Sequence, residues 1–371
     1  MARPLPSWRT IALSFGATVV VLMAAGLLFM ASGLYDVGAR KGHFTITTWL
    51  LEITMRRSVA THSRFIDVPE IGDSDQVRLG AAHFQGGCVP CHGAPGQSRN
   101  PIVRSMLPEP PDLAHAVETW SDRQLFWIVR NGLKYTGMPA WSAPAREDEV
   151  WAVVAFLRQL PAIDAEAYRS LANSGADPPA DPSPRAGWSS DLLVCDRCHD
   201  TSSRPPASRL VPKLAGQSPL YFATALRSYK AGLRPSGIMQ PIAAELDDAA
   251  IRSLAEHYAG LRSSSSAAPA APADKLARGR AIATAGVPEA GIPPCLSCHA
   301  SGFALYPRIT GQSGPYIRQQ LQLWQAGLRE HTVLGQIMAP IAKRLSATQI
   351  DEVAAYLESV DAGAHPRGTS P

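Results

Sequence analysis

Charge is sparse in this chain. Only 18% of its 371 residues are Asp, Glu, Lys or Arg, the net charge is +4, and no long Lys/Arg run occurs. An electrostatic footprint for a polyanion is missing, so no nucleic-acid partner is expected. Cysteine is equally scarce: there are six, and they fall as three pairs with two residues between members, at Cys88/Cys91, Cys195/Cys198 and Cys295/Cys298. None is left over for a structural disulfide. Apolar residues make up 46% of the chain beside 32 Pro and 29 Gly, which excludes a wholly disordered or collagen-like protein and implies a loop-rich globular one. The length allows two or three domains.

The amino terminus carries 24 positions without a charge, Ile11 to Leu34. At ~1.5 Å per helical residue they span about 36 Å, enough for a bilayer core. Trp8 and Tyr35 stand at the two ends, where amphipathic rings favour the headgroup region. Residues 1–35 therefore read as a membrane anchor. The competing reading is a cleaved signal peptide, but its apolar region runs only about 7 to 15 residues. Arg3 and Arg9 before the run balance Arg40 and Lys41 after it, so charge counting leaves the orientation open.

Each cysteine pair is followed directly by histidine: Cys88-Val-Pro-Cys91-His92, Cys195-Asp-Arg-Cys198-His199 and Cys295-Leu-Ser-Cys298-His299. This is the attachment pattern for c-type haem. On a helical turn the thiols at i and i+3 project to one side and reach the two vinyl groups of one haem edge, and the histidine supplies the proximal imidazole. A structural zinc needs four ligands, whereas each motif offers three and the next lies about 100 residues away. A redox C-x-x-C would not demand the histidine. Three covalently bound haem c groups are expected, with iron held by His92, His199 and His299.

A sixth ligand is expected from methionine. Met138, Met239 and Met338 follow their histidines by 46, 40 and 39 residues, each beside a proline: Pro139, Pro241 and Pro340. The prolines suit stiff, non-helical loops that present sulfur. Met106 in the first unit and His331 in the third are rivals without a counterpart elsewhere. Three closed irons leave no place for substrate chemistry, so an electron carrier is expected rather than an enzyme. The alternative is a haem enzyme, peroxidase-like or oxygen-reducing, with one iron left five-coordinate.

The second and third units repeat one another. Pro212-Lys-Leu-Ala-Gly-Gln-Ser-Pro-Leu-Tyr221 matches Pro307-Arg-Ile-Thr-Gly-Gln-Ser-Gly-Pro-Tyr316, and Ala231-Gly-Leu-Arg234 matches Ala326-Gly-Leu-Arg329, both at an offset of 95. Each unit closes on a helical apolar pattern, at Glu147–Leu160, Asp247–Leu261 and Ser346–Val360, with Asp247 and Ser346 as N-caps of the last two. Pro-, Ala- and Ser-rich stretches separate the units. The partition is anchor 1–35, preface 36–73, haem units 74–162, 186–262 and 274–361, linkers 163–185 and 263–273, and tail 362–371. Thr47–Met55 in the preface reads as a helix that braces the first unit, since it lacks the basic face of an interfacial helix.

These residues resemble known families over nearly the whole chain. Units two and three resemble class I cytochromes c of the cytochrome c4 type, through CxxCH, the P-x-L/I-x-G-Q-S-x-x-Y block, the A-G-L-R turn and the late Met-x-Pro. Unit one resembles membrane-anchored periplasmic monohaem cytochromes c, through Gly80-Ala-Ala-His-Phe84, Pro110-Pro-Asp-Leu113 and Thr136-Gly-Met-Pro-Ala-Trp141. The tri-haem arrangement is similar to cytochrome subunits of membrane-bound alcohol and aldehyde dehydrogenases. The resemblance implies an all-α fold of three tandem class I cytochrome c domains after an N-terminal transmembrane helix. It also implies first and last helices crossing at Gly80 and Gly279, whereas Pro182, Pro184 and Gly187 shorten or remove the first helix of unit two. Haem attachment to CxxCH in bacteria takes place outside the cytoplasm. The expected location is therefore the bacterial inner membrane with the haem domains on the periplasmic side. The partners expected are membrane-bound dehydrogenase or terminal oxidase subunits, with quinone as a further candidate.

Overall fold

A computed structural model describes residues 7–38, 41–172, 189–262, 269–300 and 303–360. The stretch with Pro182, Pro184 and Gly187, most of both proline-rich linkers and the tail lie outside the described residues. Within them the regular elements are all helices, with one isolated antiparallel bridge, Val287 to Ile292, in place of any strand.

Helix α1 (Trp8–Ala31) opens on Ser7, whose hydroxyl accepts from the Thr10 N–H, and buries none of its residues. It is the one helix among the described residues long and apolar enough to cross a membrane. It stops three residues before the uncharged run does, because Gly33 adopts φ +66, the left-handed conformation that ends helices. Helix α2 (Thr45–Ser63) buries Val59 and Ser63. Just past its end the Arg64 carbonyl accepts from Arg123 at 2.9 Å, and His62 lies 5.8 Å from the Trp127 ring. This half packs against the first unit. In the other half Ile46, Trp49, Leu50 and Ile53, spaced i, i+3, i+4, i+7, are exposed.

The first core is built by α3 (Ser74–Gly87), α4 (Asp122–Asn131), α5 (Glu147–Gln159) and α6 (Ala165–Ala172). Phe84, Phe126, Trp151, Phe156 and Tyr168 fill it. Helix α6 occupies residues expected to begin the linker, and it is helical because Tyr168 and Ala172, one turn apart, both reach this core. Where α3 crosses α5, a Cβ on Gly80 would lie 2.1 Å from the Ala152 carbonyl oxygen, so only glycine permits the approach.

The second core joins α7 (Ser189–Asp196), α8 (Pro219–Lys230), α9 (Met239–Glu245) and α10 (Asp248–Gly260) around Phe222, Leu226, Ile251, Leu254 and Tyr258. The third joins α11 (Ala273–Ala285), α12 (Gly314–Gln325), α13 (Val333–Arg344) and α14 (Ala347–Ser359) around Ile282, Leu321, Ile350, Val353 and Leu357. Asp247 and Ser346 do cap their helices, accepting from Ala250 at 2.7 Å and Gln349 at 3.2 Å. Gly279 repeats the Gly80 crossing, with its would-be Cβ 2.1 Å from the Glu352 oxygen.

Units two and three meet reciprocally. The Gln312 amide accepts from Lys213 N at 2.8 Å and donates to Lys213 O at 3.0 Å, while Gln217 accepts from Arg308 N at 3.0 Å and donates to Arg308 O at 2.8 Å. Ser218 donates to Ala304 O at 2.5 Å, and Ser313 to Arg209 O at 2.6 Å. Each pair is the other shifted by 95 residues, so the two repeats face one another as an isologous interface does.

Candidate haem sites

Each CxxCH motif is one helical turn. The backbone N–H of His92, His199 and His299 reaches the carbonyl of the first cysteine of its motif at 2.9, 2.9 and 3.0 Å. Both thiols and the imidazole thereby leave the backbone on neighbouring faces. In all three the Nδ1 atom lies 2.9 Å from a proline carbonyl: Pro111 for His92, Pro212 for His199 and Pro307 for His299. A carbonyl only accepts, so Nδ1 donates and Nε2 keeps its lone pair, the form a metal-binding histidine needs. Burial pushes the pKa of all three imidazoles down, which keeps them neutral.

The thiols point away from disulfide chemistry. None of the six cysteines is in a disulfide, and burial pushes Cys88 up to about 12, Cys295 up to about 11 and Cys198 upward. A redox C-x-x-C works through a lowered thiol pKa. Nor do three or more His, Cys, Asp or Glu side chains converge on a bare metal site among the described residues.

Units two and three share one cavity, lined by Cys195, Cys198, His199 and Met239 from one and by Cys295, Cys298, His299 and Met338 from the other. Met239 and Met338 thus line the same cavity as His199 and His299. The expectation of a non-helical methionine loop is corrected in both units: Met239 is the first residue of α9, and Met338 lies inside α13. Pro241 falls in the first turn of α9, where no intrahelical donor is required. Pro340 sits within α13, where it removes one helical hydrogen bond. In unit one Met138 does lie on non-helical chain. A Cβ on Gly137 would meet the Met106 methyl at 2.4 Å, so the rival thioether lies against the same loop. His331 is exposed and does not line the shared cavity.

The family model described as cytochrome c oxidase, cbb3-type, subunit III matches residues 75–157. The thiosulfate dehydrogenase electron acceptor of Thiomonas intermedia (strain K12) is 32% identical over 46% of this chain and 82% of its own. Cytochrome c4 of Thiocapsa roseopersicina is 33% identical over 48% of this chain and 92% of its own. The chain belongs to the c-type cytochromes, with cytochrome c4-like domains. Among solved structures, cytochrome c4 of Acidithiobacillus ferrooxidans aligns at 35% identity over 46% of this chain and 99% of its own, with a TM-score of 0.41. Membership makes this cytochrome an electron-transfer protein with covalently bound haem c and its iron.

The shared cavity of the cytochrome fits that group on a ground independent of the cysteines. Arg234 and Arg329, the last residues of the two A-G-L-R turns, both line it. Arg234 donates to Tyr316 Oη and Gln320 Oε1 at 3.1 Å each, and Arg329 donates to the same Gln320 oxygen at 2.7 Å. Neither has a carboxylate partner among the described residues. Burial, and then the like charge of Arg234, push Arg329 down to about 10. A buried Arg234 beside a part-buried Arg329, with no carboxylate paired to either, is costly. Haem c carries two propionate carboxylates per ring, which would supply the anionic partners that Arg234 and Arg329 do not find among the described side chains. The three proline carbonyls, the Gln217/Gln312 exchange and the arginine pair escaped the motif reading, although the repeat contains all of the unit-two and unit-three members.

Proposed function

We propose that this cytochrome carries three haem c groups and passes single electrons between a dehydrogenase or the quinone pool and a terminal acceptor, as a membrane-anchored subunit of a respiratory assembly. Thioethers to Cys88 and Cys91, Cys195 and Cys198, and Cys295 and Cys298 would fix the rings. His92/Met138, His199/Met239 and His299/Met338 would supply the axial pairs. When bound, each group supplies a one-electron couple, which methionine ligation places at higher potential. The observation that carries the reading is the threefold recurrence of a histidine whose Nδ1 donates to a proline carbonyl directly after a cysteine pair.

The chain's own residues do the rest. They orient the imidazoles, set both thiols of each motif on one helical turn and, through Arg234 and Arg329, balance negative charge in the shared cavity. The proposed division is into haem units 74–162, 186–262 and 274–361, with the first extended to take in α6, whose Tyr168 and Ala172 pack in its core. A dehydrogenase as donor is favoured because a similar protein is named as the electron acceptor of thiosulfate dehydrogenase. Helix α1 would hold the units on the periplasmic face of the inner membrane. Haem-stained full-length protein should stay with bacterial membranes through salt and alkaline washes, since about 20 buried apolar residues are not displaced by screening. After mild solubilisation a dehydrogenase should co-purify and reduce it. Recovery as a soluble periplasmic protein with a processed amino terminus would contradict the anchor.

A further inference from the structure

Three consecutive residues just ahead of Met239 are held by unit one. The Glu149 carboxylate, 3% exposed, accepts from the Ser236 hydroxyl at 2.6 Å through Oε1 and from the Gly237 N–H at 2.6 Å through Oε2. Arg146 pairs with Glu149 at 3.0 Å and donates to the Pro235 carbonyl at 3.0 Å. Trp141 donates its indole N–H to the same carboxylate at 3.3 Å, and a Cβ on Gly237 would collide with that indole at 1.9 Å. Ser236 in turn accepts from the backbone N–H groups of Ile238 and Met239 at 3.3 and 3.0 Å. It does for α9 what a helix N-cap does, from outside the cap position.

Unit three shows what the alternative looks like. There Thr332 caps α13 from within the unit, accepting from Gly335 at 2.9 Å. The chain from the A-G-L-R arginine to the methionine is also longer: Arg329 to Met338 spans 9 positions, against 5 from Arg234 to Met239. Unit two departs from the repeat at the point where Glu149 grips it. A small apolar seam of Leu79, Ala152 and Val211, with Ile238 and Cys198 against it, closes the same contact.

We infer that Glu149 is a positioning residue for the second haem: through Ser236 it fixes the α9 start that presents Met239, so that unit one controls the axial ligation of unit two. The inference rests on Met239 being that ligand. Donors approach both carboxylate oxygens, so Glu149→Gln must turn its NH₂ toward one of them and lose that contact. A hydrogen bond to a buried charge contributes about 1.5–3 kcal/mol, so the Met239-off form should become about 10- to 100-fold more populated relative to the bound form.

The test compares Glu149→Gln, Ser236→Ala and Met239→Ala in the full-length, haem-loaded protein. Three readouts are used: the near-infrared methionine-to-iron band when oxidised, carbon monoxide binding when reduced, and the separate midpoint potentials. Met239→Ala should remove one methionine's share of the band and open one iron to carbon monoxide. Failure of that control would remove the Met239 reading itself. With the control satisfied, Glu149→Gln and Ser236→Ala should each weaken the same share, admit carbon monoxide at one iron and shift one potential. If both keep the wild-type band and potentials, or if every potential moves together, the inference is wrong. Should Glu149→Gln fail to accumulate, Ser236→Ala decides, because it leaves the carboxylate, Arg146 and the Gly237 contact in place.

Discussion

Replacing Gly279 with alanine sets two effects of opposite sign against each other. Alanine is the better helix former by about 1 kcal/mol, so intrinsic propensity alone predicts stabilisation. The crossing of α11 and α14 predicts the reverse. The new Cβ would stand 2.1 Å from the Glu352 carbonyl oxygen, 2.7 Å from its carbon and 2.8 Å from the Tyr356 Cβ. A carbon–oxygen contact is comfortable only near ~3.3 Å, so the helices must part by about 1 Å. The oxygen belongs to the helical backbone and cannot rotate away. Over-packing of this kind costs typically about 1–3 kcal/mol, and the separation also stretches the Lys275–Asp351 and Arg278–Glu352 pairs that join the same two helices. The net expectation is a loss of up to about 2 kcal/mol before the two stretched pairs are counted, with roughly 4–8 °C in Tm for each kcal/mol in a unit of this size. Thermal unfolding of the haem-loaded protein, followed by far-ultraviolet circular dichroism, would read it. An unchanged or higher Tm would refute the close-crossing account of how this unit is held.

Other consequences are equally direct. Met138→Ala should open one reduced iron to carbon monoxide while Met106→Ala leaves it closed; the opposite pattern would transfer the first axial role to Met106. Arg329→Leu removes a part-buried cation lining the shared cavity, so oxidised iron is less disfavoured there and one midpoint potential should fall by ~60 mV, a tenfold change in a one-electron equilibrium; redox titration would show it. The Lys275 ammonium, then the Arg318 guanidinium, hold the Asp351 carboxyl below its ordinary value. Its contribution is therefore full above the unfolded value of about 3.9 and is lost as pH falls through the lower folded value. Asp351→Asn should flatten the acid limb of the stability curve without changing stability's slope near neutral pH.

Much of the architecture was legible because it rests on local chemistry. The CxxCH spacing determines a helical turn whatever surrounds it, and the capping residues Asp247 and Ser346 act within four residues of themselves. Helix α6 was misread as linker because two apolar residues one turn apart carry little signal beside a proline-rich stretch. The methionine segments were misread as loops because proline was taken as a helix breaker, whereas Pro241 sits in a first turn that tolerates it. What needed the fold was everything that joins units. Gln217 and Gln312 look like ordinary polar residues until the offset of 95 is treated as a spatial symmetry. Glu149 looks like the acidic first turn of a helix until Ser236, 87 positions away, is found against it.

The number of haem groups per chain tests the central claim most directly. Pyridine haemochrome absorbance of the purified full-length protein, set against its polypeptide mass, should give three covalently bound groups per chain, with Cys195→Ala/Cys198→Ala reducing the ratio to two. A ratio of two in the unaltered protein would mean that one CxxCH motif is not a haem site and would contradict the account.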